Sequence, residues 1–300
     1  MSPATYLNQT TATDLMWRAL AEQITKDSFT WLNEKISQIA GGASARVFFT
    51  GFSAVPRYVG KKDLKLTPED LQSASIIRTG WDPAHWSADQ VARTLMVLAL
   101  PQDNAEKYLQ TLEQVFITAD VGEGVALYQA LPLLPYPQRL KIRAAEGVRS
   151  NITAVFNAVA LRNPYPAEYF DNLAWNQMVL KALFVGSPLH LIERLDDRNN
   201  PELARMAIDY AHERFRASRQ VSPELWRLVG KFGDCTTIKD LEQAIAQDDP
   251  KGQAAAALAC ADSPLPQAQT LLTRYPELQA SIQSGSLTWN SLSQGLGARD

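Results

Sequence analysis

The sequence contains few of the residues and motifs from which a function is usually inferred. It has two cysteines and three histidines in 300 residues. Cys235 and Cys260 form no CxxC pair and have no metal-ligand spacing around them, which does not support a disulfide scaffold or a zinc module. No GxSxG nucleophile motif is present, and the glycine patterns at Gly122 and Gly295 follow no predicted strand, which excludes a phosphate loop there. We therefore assign no catalytic residue, no metal ligand and no cofactor.

Strong charge and long apolar runs are also missing. A net charge of -3 gives no basic surface for nucleic acid. The longest apolar runs, such as TLMVLAL, are far shorter than the roughly 18 residues that span a bilayer, and the first residues lack the basic and apolar parts of a signal peptide. These absences predict a cytoplasmic protein without nucleic-acid binding or membrane insertion, and two free thiols fit that compartment.

A capping residue followed by proline recurs along the chain. Proline at the first helical position loses no hydrogen bond, and Ser, Thr, Asp or Asn before it accepts bonds from the free amides of the first turn. Each pair therefore predicts a helix start. The eight pairs are Thr67-Pro68, Asp82-Pro83, Asn163-Pro164, Ser187-Pro188, Asn200-Pro201, Ser222-Pro223, Asp249-Pro250 and Ser263-Pro264.

The segments between these pairs have helical periodicity, and RVFFTGFSAV, Arg46 to Val55, is the best but ambiguous strand candidate. We predict an all-α fold, an irregular α-α superhelix of stacked antiparallel helix pairs that is HEAT-like but has no strict repeat. One continuous domain, 1–300, is expected, with a possible division into 1–62 and 63–300 at the glycine-bearing segment before Lys62. The predicted helices are 12–23, 28–40, 68–78, 87–100, 103–118, 123–131, 138–161, 167–185, 188–195, 201–218, 223–231, 237–247, 251–260, 264–273 and 287–294.

The segment NLAWNQMVLKALFV, Asn172 to Val185, combines a helical pattern with unexpected polar residues. Apolar residues point in every direction on a helical wheel, which predicts a helix buried on all sides. Two pairs one turn apart, Asn172 with Asn176 and Gln177 with Lys181, project from different sides. Either the carboxamides bond neighbouring helix ends and Lys181 reaches outward, or one side lines a ligand cleft with Trp175 as a flat wall and Lys181 holding an anion.

The next long helix, PELARMAIDYAHERFRASR, carries Arg205, Asp209, His212 and Arg216 on a polar face, which favours a solvated ladder of ion pairs over a metal site. Arg214 falls on the apolar arc, and a buried arginine needs an acidic or carbonyl partner. We expect it to pair with Glu168 or Asp171, or else to anchor an anion beside Lys181. LDDRNNPE resembles an aspartate-rich magnesium motif only superficially, because the later aspartate is missing, so we interpret it as a helix cap.

Four pieces, RNPYPAEYF, NQMVLKALF, AIDYAHERFRASR and LWRLVG, make the block from Arg162 to Arg227 similar to the EboA family. The resemblance implies a cytoplasmic helical protein from an operon for secondary metabolites, associated in cyanobacteria with transport of a scytonemin precursor toward the periplasm. It implies no catalytic residues. The family motif residues carried onto this chain are Asn163, Pro164, Asn176, Gln177, Lys181, His212, Glu213, Arg214 and Trp226.

Two functions follow as hypotheses. The first is a non-enzymatic binding or adaptor protein, whose partner is a small-molecule metabolite or another protein of the same operon. The second is an enzyme acting on an aromatic or isoprenoid metabolite in a helical cleft. The ligand-binding candidates are Asn172, Trp175, Asn176, Gln177, Lys181, His212 and Arg214.

Overall fold

The computed structural model of this chain describes residues 3–247 and 249–296. Within them the chain forms 19 α-helices and three short 3-10 helices, and no strand, since the one β-bridge, between Asp63 and Ser87, is isolated. The predicted all-α fold is confirmed. The superhelical, HEAT-like arrangement stays a prediction.

The chain divides between Phe170 and Asp171 into two compact units, which we call the first and the second unit. The helices of the first unit are α1 Pro3–Ala21, α2 Lys26–Ala40, α3 Ala45–Tyr58, α4 Pro68–Ile77, α5 Ala88–Leu98, α6 Ala105–Thr118, α7 Val121–Ala130, α8 Lys141–Arg149, α9 Thr153–Ala160 and α10 Tyr165–Tyr169. Those of the second unit are α11 Asn172–Val185, α12 Leu195–Arg198, α13 Pro201–Arg216, α14 Leu225–Val229, α15 Thr237–Ile245, α16 Pro250–Asp262, α17 Pro266–Leu272, α18 Pro276–Gln283 and α19 Trp289–Leu296. The single-domain prediction stays a prediction.

Helix α5 lies at the centre of the first unit, where it packs against α1, α2, α3 and α7. Nearly all of its residues are buried, including two charged ones, Asp89 and Arg93. These two form an ion pair of 2.5 Å one turn apart, and the Arg93 guanidinium also lies over the Phe52 ring. The pair satisfies both charges inside the core, where an unpaired charge would cost several kcal/mol.

Helix α16 has the same central place in the second unit, with α14, α15, α17, α18 and α19 around it. Its buried residues are mainly alanines, Ala254 to Ala257 and Ala259. Small side chains let neighbouring backbones come close. A Cβ atom added to Gly230, at the end of α14, would lie 2.8 Å from the Ala259 carbonyl oxygen, so glycine is the residue that fits there.

The proline pairs begin helices at some of the expected positions. Thr67, Asn200 and Asp249 cap α4, α13 and α16 through their side chains, each with proline in the first turn. Asp82-Pro83 instead lies in the loop before α5, where the Asp82 carboxylate accepts the Ala84 amide. A capping residue before proline therefore indicates a turn that bonds its own amides, whether or not a helix follows.

Several element predictions need correction. The strand candidate Arg46 to Val55 belongs to helix α3, because Phe48, Phe52 and Val55 bury one helical face. The predicted helix 138–161 is broken between α8 and α9, and 167–185 is broken where Asp171 caps α11. Helix α18 was not predicted.

No helix in the described part of the chain is long and apolar enough to cross a membrane.

Candidate functional site

Helix α11 is not surrounded by protein on all sides, contrary to the sequence prediction. Leu173 is 67% exposed and Phe184 is 74% exposed, and Gln177 lies on the same exposed side. Apolar residues on this face made the wheel look uniformly apolar, since the pattern does not record which face has a neighbour. The opposite side, with Trp175 and Asn176, is buried.

The buried carboxamide of α11 is paired within the second unit. Asn176 and Asn200 exchange two hydrogen bonds, of 3.1 Å and 2.8 Å, between their amide groups. The same Asn200 oxygen accepts the Leu203 amide and so caps α13. Asn176 thus supports the start of a neighbouring helix, which is the core-bonding alternative of the sequence interpretation.

Asn172 and Trp175 lie beside a third residue, Arg198, which sequence reasoning had not selected. The Arg198 guanidinium donates to the Asn172 carboxamide oxygen over 3.0 Å and lies 4.7 Å from the centre of the Trp175 ring. Burial, followed by the charge of Arg194, lowers the pKa of Arg198 below its usual value. The cation is held by an aromatic face and an amide, as expected for a stacked arginine.

Lys181 and Arg214 do not lie in a common pocket among the described clefts. Lys181 is half-buried, and the resulting desolvation lowers its pKa. Arg214 is also half-buried and donates two hydrogen bonds, of 2.9 Å and 2.7 Å, to the Gln220 carbonyl. The expected partners are engaged elsewhere, since Glu168 pairs with Arg78 and Asp171 caps α11. A carbonyl partner for Arg214 agrees with the general expectation from the sequence, but the specific prediction of Glu168 or Asp171 was wrong.

His212 is the one candidate that lines an open cleft among those described here. This His212 cleft, with about 580 Å³ of open space, lies between α13 and the segment from Phe232 to Thr237. The ring Nε2 lies 2.9 Å from a carboxylate oxygen of Asp240, whose other oxygen is buried and has no partner among the described residues. The remaining six candidates do not line it. Their ligand-binding roles stay predictions.

A second cleft, in the first unit, brings together residues that sequence reasoning did not group. This Arg162 cleft contains about 610 Å³ of open space between the loop before α5, the end of α7 and the end of α9. Its polar and aromatic lining consists of Asp82, His85, Trp86, Gln129, Asn157, Arg162 and Asn163. Arg162 and Asn163 begin the family piece RNPYPAEYF, but Asp82, His85, Trp86 and Gln129 lie 33 or more residues before Arg162 in sequence.

The backbone at Arg162 is held in an uncommon conformation. Its φ of 52° lies in the left-handed region, which costs a residue with a side chain about 1 kcal/mol or more. Asn163, 3% exposed, fixes this turn by donating 3.0 Å hydrogen bonds to the Tyr128 and Ala158 carbonyls and accepting the Tyr165 amide. The turn is therefore anchored to both α7 and α9, and it directs Arg162 to the cleft.

Charge and hydrogen bonding in the Arg162 cleft are incompletely matched. Arg162 Nε lies 3.1 Å from an Asp82 carboxylate oxygen, and Asp82 is its one ion-pair partner within the described residues. The carboxamide oxygen of Gln129 is buried and, in that same part of the chain, has no donor. Trp86, 4% exposed, contributes an indole wall supported edge-on by Trp81. This arrangement can hold a small polar ligand through donors and an acceptor.

Comparison with known proteins gives one match. A family model described as metabolite traffic protein EboA matches residues 12–230, more than two thirds of the chain. Neither the curated proteins nor the solved structures contain a match. The matched region includes the whole Arg162 cleft and helices α11 and α13. The chain belongs to the EboA family of metabolite traffic proteins.

Proposed function

We propose that this protein is a non-enzymatic metabolite-binding or adaptor protein of secondary-metabolite traffic in the cytoplasm, and that it binds its metabolite in the Arg162 cleft. The observation that carries the proposal is one cleft with a guanidinium, an indole wall and a carboxamide oxygen that lacks a donor among the described residues. A few convergent polar groups on a concave surface are typical of small-molecule sites. The family description, metabolite traffic, supports the same role.

The chemistry of the cleft favours an anionic, partly aromatic ligand. A guanidinium has five N–H donors, and the Asp82 contact of Arg162 uses Nε. The terminal amino groups suit a carboxylate or a similar anion, because a guanidinium can donate two parallel hydrogen bonds to a carboxylate. Trp86 offers apolar wall area, and the Gln129 oxygen suits an N–H or O–H of the ligand.

Calorimetric titration with 2-naphthoate, compared with its neutral counterpart 2-naphthamide, tests the proposal. We expect naphthoate to bind more tightly, and Arg162→Gln to weaken it by roughly 10- to 100-fold, since a hydrogen bond to a charged group contributes about 1.5–3 kcal/mol. The matched control is Arg149→Gln, on an exposed arginine of α8 in the same unit, which should leave the affinity unchanged.

Two results contradict the proposal. If Arg162→Gln binds naphthoate as tightly as the parent protein does, the Arg162 cleft is not the binding site. If the parent protein binds both probes with equal affinity, its ligand is not of the anionic class. Circular dichroism of each variant verifies that the helical fold is intact, so a loss of binding is assigned to the cleft.

A further inference from the structure

A separate pocket lies in the first unit beside Tyr108. It opens between the turn that joins α2 to α3 and the start of α6, with about 490 Å³ of open space. Its walls are mainly apolar and are lined by Ile39, Phe48, Leu100, Pro101 and Tyr108. None of these residues lines the Arg162 cleft. We call it the Tyr108 pocket.

Tyr108 is unusual among the residues that line this pocket. Tyr108 is 1% exposed, and its hydroxyl has no hydrogen-bond partner among the described residues. The ring of Tyr136 lies 5.9 Å away, but the Tyr136 hydroxyl donates to the Gln102 carbonyl over 2.6 Å. Burial raises the pKa of Tyr108, so the hydroxyl keeps its proton and remains a donor.

A buried phenol without an acceptor costs folding free energy that phenylalanine at the same place would not cost. Such groups in folded proteins call for an explanation, and completion by a bound molecule is one that fits a residue lining a pocket. Because the surrounding walls are apolar, a charged molecule would lose its hydration without gaining a counter-charge. Lys107 also lines the pocket, but its side chain is exposed.

We propose that the Tyr108 pocket binds a neutral, largely apolar molecule that carries one hydrogen-bond-accepting oxygen, such as a carbonyl, and that this oxygen accepts the Tyr108 hydroxyl. Apolar contact with Ile39, Phe48 and Leu100 supplies most of the affinity. The hydroxyl selects molecules with an oxygen at the matching position, since it gains a partner only with them. This site is independent of the proposed function of the Arg162 cleft and takes a different class of ligand.

Fluorine NMR titration of the full chain with two neutral probes of similar shape tests this pocket. The first probe, 4-fluoroacetophenone, has the carbonyl, and the second, 4-fluorocumene, lacks it. We expect the ketone to bind more tightly than the hydrocarbon. Tyr108→Phe should weaken the affinity for the ketone by about three- to tenfold, the range of one neutral hydrogen bond, and leave the affinity for the hydrocarbon unchanged. The melting temperature of the free Tyr108→Phe protein should be unchanged or higher.

A blocking variant locates the binding. Ala45 lines the pocket but is exposed at the start of α3, so Ala45→Trp should close the pocket with little effect on folding. We expect this variant to bind neither probe. Parental ketone affinity in Tyr108→Phe, undiminished binding in Ala45→Trp, or a clearly lower melting temperature of free Tyr108→Phe would each overturn the proposal. Absence of ketone binding to the parent protein would do the same.

Discussion

At the residue scale, two adjacent carboxamides of α11, Asn176 and Gln177, have opposite environments. Asn176 bonds Asn200, which is 24 residues away, while Gln177 is exposed one position later. The sequence identified both as unusual in an apolar helix. It did not distinguish them, because the distinction depends on which neighbouring helix end lies opposite each side chain.

Asn176→Ala should lower the free energy of unfolding by about 1–3 kcal/mol, because it removes both hydrogen bonds between the two amides and leaves Asn200 with the Arg198 carbonyl and the Leu203 amide near the start of α13. The matched control is Gln177→Ala, which removes an exposed carboxamide from the same helix and should change stability by less than about 0.5 kcal/mol. Urea denaturation of both variants measures the difference. Equal losses in the two variants would contradict the role given to the amide pair.

Two arginines should differ strongly in what their removal costs. Arg93 is 2% exposed and paired with a buried Asp89, so Arg93→Ala leaves an uncompensated carboxylate and should cost about 3–5 kcal/mol. Arg214 bonds one carbonyl from a half-buried position, so Arg214→Ala should cost no more than about 1.5 kcal/mol. Thermal or urea unfolding gives both values, and a larger loss for Arg214→Ala would favour the buried acidic partner that the sequence predicts.

At the element scale, helix starts were more predictable than helix ends and breaks. Capping and proline act within four residues, so Thr67, Asn200 and Asp249 are visible in the sequence. The break between α8 and α9, at Ser150 to Ile152, contains no proline or glycine. Within the break the Ser150 hydroxyl accepts a hydrogen bond from the Ile152 amide, and packing places α8 against α9 and α9 against α7.

The N-terminal cap of helix α4 can be tested by the pH dependence of the free energy of unfolding. Burial acts to raise the pKa of Asp70, but the hydrogen bond from the Thr67 amide and the contacts with Arg18 and the Thr67 hydroxyl outweigh it, so the pKa lies below its usual 3.8. A carboxylate whose pKa is lower in the folded state than in the unfolded state stabilises the fold at pH values above the unfolded-state pKa. This contribution is lost as the pH falls through the folded-state pKa.

Asp70→Asn should therefore be less stable than the parent by about 0.5–1.5 kcal/mol near neutral pH, and the difference should shrink as the pH falls below about 4. Glu69→Gln changes the neighbouring, exposed carboxylate and serves as the control, with a smaller difference throughout. Urea unfolding at a series of pH values measures both. A stability gap for Asp70→Asn that is constant down to about pH 2 would contradict the cap.

At the scale of the whole molecule, the division between Phe170 and Asp171 has no linker in the sequence. Asp171 caps α11 directly after α10 ends, so no run of glycine, serine or charge marks the position. The sequence did not predict the Arg162 cleft for a related reason. Its family piece was recognised at Arg162, but Asp82, Trp86 and Gln129 reach it only through the packing of the first unit, which periodicity does not reveal.

The first unit, expressed as residues 1–170, should fold without the second, because it has its own buried core around α5. We expect a helical circular dichroism spectrum, a cooperative thermal transition, and parental affinity for naphthoate, since the Arg162 cleft lies within it. An unfolded fragment would instead favour the single continuous domain that the sequence predicts.

The central claim, that the protein holds a metabolite in the Arg162 cleft, is tested most directly by native mass spectrometry of protein purified from its own host. The account predicts a retained small molecule on the parent protein and on Arg149→Gln, and its loss from a folded Arg162→Gln. A retained molecule that is equally abundant on Arg162→Gln would contradict the claim.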